Sequence, residues 1–185
     1  MRVHAVGVEV KLVDVSGLTA QSVCSRKERE QPESSYMALF EASVELCCSP
    51  SAAFEFLIQP ANIRLISPPS VMLEFDAAPD RLQLHSRMEF RVQAFGVVRS
   101  VIHGITSFEP PHRFVEQQLE GPMQAWEHEH LFEPTPRGVK VTDRIHFAPP
   151  GGMLGLLINE RKIRESLEEG FEHRYAELEK RLGCT

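Results

Sequence analysis

Between positions 70 and 147, six segments of alternating apolar and polar residues follow one another: SVMLEF, RLQLHSRMEFRVQAF, VVRSVIHGITSF, HRFVEQQL, MQAWEHEHLF and GVKVTDRIHF. Period-two alternation is what a strand needs when one face is wet and the other buried. In the second segment Leu82, Leu84, Ser86, Met88, Phe90 and Val92 share one face, while His85, Arg87, Glu89 and Arg91 share the other. The connectors AAPD, FG, EPPH, EGP and EPTPRG are too short for crossover helices, so successive strands pair as antiparallel hairpins. After Pro149-Pro150-Gly151-Gly152 the period changes. Leu156, Ile163, Leu167, Phe171, Tyr175, Leu178 and Leu182 recur at steps of three, four or seven, which predicts one long amphipathic helix. Its apolar stripe and the apolar face of the sheet are the two large unmatched surfaces, and each covers the other.

Upstream, the chain alternates as a strand from Leu39, with Phe40, Ser43 and Leu46 read as its marked positions. Ser49 then reads as an N-cap and Pro50 as the first residue of a short helix whose Phe54, Leu57 and Ile58 share one face. Pro60 ends that helix. ANIRLI forms a second, stopped by Ser67-Pro68-Pro69. The expected fold is therefore α+β: a curved antiparallel sheet of about seven strands wrapped around a long C-terminal helix, with two short helices after the first strand.

A chain of 185 residues with 42% hydrophobic content builds one domain with a real core. Residues 15–35 are polar and without period, and the composition changes at Met37. Residues 1–36 are therefore read as a flexible N-terminal extension containing an isolated strand-like VGVEVKLVDV, and residues 37–183 as the domain; the change also marks Met37 as an alternative start. The formal charge of −6, with basic and acidic residues interspersed, excludes a nucleic-acid surface. The longest apolar run, MLGLLI, falls well short of the roughly 20 residues that cross a bilayer, so stable membrane insertion is not expected. Cys24, Cys47, Cys48 and Cys184 lack CxxC spacing, and no secretory signal is evident. Reduced thiols in a cytoplasmic protein are expected.

The stretch GPMQAWEHEHLFEP places Trp126, His128, His130 and Phe132 on one strand face, and the two large apolar members put that face inside. The next strand carries Val139, Val141, Asp143, Ile145 and Phe147 inward, with Asp143 opposite His128 or His130 according to register. The preceding strand offers Glu116 and Gln118 on the face of Phe114. Three adjacent strands thus bring His128, His130, Asp143, Gln118 and Glu116 into an apolar interior. Such a cluster must be hydrogen-bonded internally or to a guest. In one reading Asp143 accepts from one imidazole and Gln118 holds the other; in the alternative, the same groups orient a ligand. Met88, Phe90, Trp126, Phe132 and Phe147 serve as core and pocket wall in either case.

A metal would need a third ligand beside the HxH pair. Glu133 lies on the opposite face and no later histidine completes a cupin-like set, so no metal site is expected. A hydrolytic triad finds no nucleophile, because Ser86 and Ser100 sit in no GxSxG elbow. His128, His130 and Asp143 remain candidates for general acid/base catalysis. His85 belongs to a charged face, His146 should be exposed, and His103 reads as an ordinary satisfied histidine. Gly151, Gly152 and Gly155 lack a phosphate-loop pattern and read as a flexible entrance beside the long helix.

The element order, with the runs FEASVELCCSPSAAFEFLIQPANIRLISPP, FEPPHRFVEQQLEGPMQAWEHEHLFEP and GVKVTDRIHFAPPGGMLG, resembles the helix-grip START/Bet v 1-like (SRPBCC) superfamily. Within it the runs are similar to the bacterial ligand-binding branch described as polyketide cyclase/dehydrase or coenzyme Q-binding START-domain proteins. The resemblance covers residues 38–183. It implies a cavity between sheet and terminal helix that binds a lipid, quinone or polyketide; the expected role is a carrier or sensor, and no cofactor is expected. The alternative is a metal-independent cyclase or dehydratase using the His–Asp pair in the same cavity. A partner-binding module with a merely void cavity is the third class.

Because a polar stretch separates residues 1–36 from every periodic segment, a chain beginning at Met37 should unfold cooperatively with a melting temperature close to that of the full chain. A large drop in thermal melts of the two would show that VGVEVKLVDV pairs with the sheet.

Overall fold

The structure, a computed structural model, describes residues 37–183; the expected extension and the cysteines at 24 and 184 lie outside them. The chain runs β1 (Ala38–Leu46), α1 (Pro50–Leu57), α2 (Pro60–Ile66), β2 (Glu74–Ala77), β3 (Arg87–Ala94), β4 (Val97–Glu109), β5 (Arg113–Glu120), β6 (Ala125–Thr135), β7 (Gly138–Ala148), α3 (Gly152–Leu157) and α4 (Glu160–Leu182). The sheet order is β1-β7-β6-β5-β4-β3-β2, all antiparallel. The meander from β2 to β7 follows from the short connectors, and β1 joins its far edge by pairing with β7, Ala42 opposite Asp143. This is the expected α+β helix-grip architecture: a curved sheet holding a long C-terminal helix.

Local chemistry accounts for the helix starts. The Ser49 side chain accepts from the Ala52 amide at 3.2 Å, with Pro50 at the first helical position. The Asn159 side chain caps α4 by accepting from the Lys162 amide at 3.1 Å. Phe54, Leu57 and Ile58 are all fully buried. Phe54 stands at ring distances of 5.4, 5.8 and 5.2 Å from Phe108, Phe114 and Phe132, so α1 plugs one end of the sheet's concave face. α4 lies along that face, burying Ile163, Phe171, Tyr175 and Leu178, and the Arg164 guanidinium donates to the Leu39 carbonyl of β1 at 2.7 Å.

Several boundaries differ from the sequence reading, each for a local reason. The inward set of β1 is Ala38, Phe40, Ala42, Val44 and Leu46, a strict alternation that turns Ser43 outward. The second alternating segment becomes strand only at Arg87: His85 has a left-handed backbone (φ 67) that no strand can continue through. Leu82 still packs into the core, but Leu84 is 46% exposed. SVMLEF pairs only from Glu74, after a 3-10 turn over Pro69–Val71. The long helix is two helices, broken at Ile158-Asn159 where Asn159 caps the second. Leu156 therefore leaves the stripe and is 83% exposed. His146 is half-buried on the outer face, not fully exposed. Cys47 is disulfide-bonded and Cys48 is a free thiol, which corrects the expectation of reduced thiols at Cys47; both lie just past the end of β1. Among the described residues no helix is long and apolar enough to cross a membrane.

Replacing Phe54 with alanine removes the ring that three other phenylalanines pack against. It should lower unfolding stability by about 3 to 5 kcal/mol, read as a lower denaturant midpoint with an unchanged slope.

Candidate functional site

The registers of β5, β6 and β7 place Glu116 beside His128, Phe114 beside His130 and His130 beside Asp143. Because the inward positions alternate, all of these side chains project toward α4. Asp143 is fully buried at 0% exposure. Its Oδ1 accepts from His128 Nε2 at 2.8 Å, and its Oδ2 accepts from the Tyr175 hydroxyl at 2.8 Å. His130 Nδ1 also lies 2.7 Å from Oδ1 but off the hydrogen-bonding direction, so it contacts the carboxylate without an aligned bond. On the opposite side of the rings, Glu116 Oε1 stands 3.2 Å from His128 Nδ1 and 3.8 Å from His130 Nε2. The two imidazoles lie 3.8 Å apart, and Phe114 stacks on His130 at 4.1 Å.

The electrostatics follow from this packing. Burial pushes the Asp143 carboxyl up, but the Arg174 charge, the hydrogen bond from His128 and the close contact with His130 outweigh it and hold the group well below the usual carboxylate range. Burial also pushes Glu116 up, and His103, His128 and His130 together bring it well below its ordinary value. Burial disfavours the charged form of His128, yet the bonds to Asp143 and Glu116 raise it above the ordinary imidazole value. Burial first, and then the Asp143 charge, push the Tyr175 phenol well up, so Tyr175 stays a donor.

Above this cluster, between sheet and α4, lie two adjoining cavities of about 300 and 250 Å³. They share Val71, Phe90, Val92, His103, Trp126, Leu167, Phe171 and Arg174 as walls. The smaller one reaches Met88, Glu116, His128 and His130. A third, of about 210 Å³, shares Phe95, Pro122 and Met123 with the first and ends on Leu154 and Leu157 of α3. That places the glycine-rich segment before α4 beside the cavity.

Of the residues singled out from sequence, Met88, Phe90, Glu116, Trp126, His128 and His130 line the cavity and Asp143 sits directly behind the imidazoles. Phe132 and Phe147 are core side chains that line neither of the two cavities. Gln118 does not hold an imidazole. It donates to the Met123 carbonyl at 2.8 Å and walls the larger cavity, because its strand partner is His103 on β4. Three residues escape the sequence reading. His103 is a buried cavity wall with Nδ1 3.6 Å from Glu116, so it is not the ordinary satisfied histidine expected. Arg174 and Tyr175 come from α4. Phe171, Arg174, Tyr175 and Leu178 follow helical spacing, and a cation inside an apolar stripe is the available signal.

An antiparallel sheet curved around a C-terminal helix, with a polar-floored cavity between them, is the helix-grip fold. Solved structures agree on the fold. TTHA0849 from Thermus thermophilus superposes with a TM-score of 0.59 at 17% identity, covering 78% of this chain and 96% of that one. Protein CV1439 from Chromobacterium violaceum gives 0.62 at 10% identity, covering 80% and 98%. Ara h 8.0201 gives 0.57 at 12%, covering 78% and 97%. No curated protein sequence matches the chain. The family model described as "Domain of unknown function (DUF8410)" matches residues 74–182, and the chain belongs to that family.

Tyr175→Phe deletes one donor to a buried, ionised carboxylate while conserving shape. It should cost about 1.5 to 3 kcal/mol in denaturant unfolding, the range for hydrogen bonds to charged groups. A loss below a few tenths would show that this bond does not tie α4 to the sheet.

Proposed function

We propose that the chain binds an apolar small molecule with an oxygen-bearing polar end in the cavity between sheet and α4, as a carrier or sensor. One observation carries this reading. The cavity walls are mostly apolar, yet Trp126 Nε1 and Arg174 Nε and Nη2 are buried there without a hydrogen-bond partner among the described residues. Buried donors are costly to leave unmade, and a guest bearing acceptors satisfies them. A lipid carboxylate, a quinone carbonyl or a polyketide chain each fits that requirement. The resemblance to polyketide cyclase/dehydrase and coenzyme Q-binding proteins supports the same set.

Gly170 adds independent support. It lies inside α4 on the wall of the larger cavity, and a Cβ built there meets nothing within 4 Å. Glycine inside a helix costs roughly 0.5 to 1 kcal/mol relative to alanine, so its presence keeps space open at the expense of stability.

A second reading, a lyase of the cyclase or dehydratase type, is favoured by the 2.8 Å His128–Asp143 pair facing the cavity. Turnover of a reactive polyketide mimic that disappears in His128→Gln, with affinity for the mimic retained, would select it over the binding reading.

Trp126 is the sole tryptophan and lines the cavity, so its fluorescence reports occupancy. Decanoate and decyl-ubiquinone should each change it saturably. Arg174→Met should weaken decanoate by about 5- to 150-fold, the equivalent of 1 to 3 kcal/mol. Gly170→Leu should abolish binding of both probes while raising unfolding stability by up to about 1 kcal/mol through helix propensity. Undiminished binding in Gly170→Leu would sink the cavity reading.

A further inference from the structure

We propose that His128 Nδ1, His130 Nε2 and Glu116 Oε1 form a three-ligand site for a first-row divalent transition cation, with its open position facing the cavity. The inference goes beyond the binding of an apolar molecule and does not rest on it. Sequence spacing offers only Glu133 as a third ligand, one strand face away. The structure supplies it from Glu116, on the neighbouring strand β5 and the correct face.

Geometry carries the argument. Glu116, His128 and His130 each offer one ligand atom within 4.8 Å of the others. Two of the separations are 3.2 and 3.8 Å, from Glu116 Oε1 to His128 Nδ1 and to His130 Nε2. Donors at about 2.1 Å from a metal stand about 3.0 to 3.5 Å apart at angles between about 90° and 110°, so the 3.2 Å separation already fits and the 3.8 Å one needs a shift of a few tenths of an ångström. Behind the rings, Asp143 Oδ1 lies against the far nitrogen of each, 2.8 Å from His128 Nε2 and 2.7 Å from His130 Nδ1. The bond to His128 Nε2 leaves His128 Nδ1 to face forward, the usual support for a metal-bound histidine, and the contact at His130 Nδ1 leaves His130 Nε2 on the forward side. Tyr175 holds the other oxygen of that carboxylate, and Phe114 stacks on His130, so the rings are packed in place before any ion arrives.

A closed hydrogen-bond network does not account for the same atoms. It satisfies His128 at both nitrogens but leaves His130 without an aligned partner: Nδ1 is misdirected, and Nε2 is 3.8 Å from Glu116, beyond hydrogen-bonding distance. His103, nine-tenths buried on the opposite side of Glu116, stands 3.6 Å from it and likewise has no hydrogen-bond partner for Nδ1 among the described residues. Imidazole and carboxylate donors without thiolate suit zinc, iron(II), manganese or cobalt rather than calcium or magnesium. Three protein ligands leave a coordination position open toward the cavity that Glu116, His128 and His130 line.

The test uses the full chain, stripped with a chelator and titrated with Co²⁺ and then Zn²⁺. One equivalent of Co²⁺ should give visible ligand-field absorption that Zn²⁺ displaces. Glu116→Gln and His130→Gln should each weaken Co²⁺ by at least about a hundredfold, beyond the tenfold to hundredfold typical of losing an outer-sphere partner. His146→Gln, on the outer face, should change nothing. A measurement independent of the variants' folding is the imidazole nitrogen spectrum of the zinc-loaded wild type, which should show one histidine ligating through Nδ1 and one through Nε2. Absence of the cobalt absorption at millimolar ion, retention of affinity in both folded variants, or ligation through other nitrogens would each overturn the proposal.

Discussion

The carboxylate of Asp143 is the group on which the interior is organised. It has no solvent contact, yet it is ionised, so every stabilising partner must come from the protein. Those partners arrive from different elements. His128 comes from β6, Tyr175 comes from α4, and Arg174 adds its charge from the same helix. Opposite it on β1 stands Ala42, whose methyl leaves the carboxylate facing inward without crowding. A buried charge stripped of a partner costs about 3 to 5 kcal/mol, so the position of α4 over the sheet is specified by chemistry as well as by apolar area. Apolar burial alone would let the helix slide by a turn along the concave face. The Tyr175–Asp143 bond fixes where it stops.

How much of this is legible in the sequence depends on whether a feature is local. Strand alternation from Val97 onward, the Ser49-Pro50 helix start and the switch to helical period are local, and the elements lie where the residues put them. Exceptions arise where a single backbone conformation overrules the pattern: His85 in the left-handed region ends an alternation that otherwise reads as continuous from Arg81. Within the sheet, short hairpins make registers nearly predictable, so Glu116, His128, His130 and Asp143 can be gathered from three strands. Gln118 departs from that set because the tight turn after β5 offers it the Met123 carbonyl. Arg174 and Tyr175 are not recoverable in the same way. Their place at the site depends on the rotation of α4 about its axis, and helical spacing defines a stripe without saying which sheet residue each member meets.

Stability arguments also point to the cavity. A core built for stability would replace the His–Asp–Glu cluster with apolar side chains of similar volume, which is often neutral or favourable. It would put alanine or leucine at position 170, and it would leave no buried guanidinium without a hydrogen-bond partner. The chain does none of these, and all three departures fall on or directly beside the same cavity wall: Gly170 and Arg174 on α4, the cluster on the facing strands. Elsewhere the interior is conventional, with Phe40, Phe54 and Phe132 packed in the apolar cluster against other rings. Concessions that converge on one volume from two elements, a helix and a sheet, are not explained by the needs of either element. The guest proposed above accounts for them, with apolar bulk to fill the space that Gly170 leaves and acceptor atoms for the donors the protein does not pair.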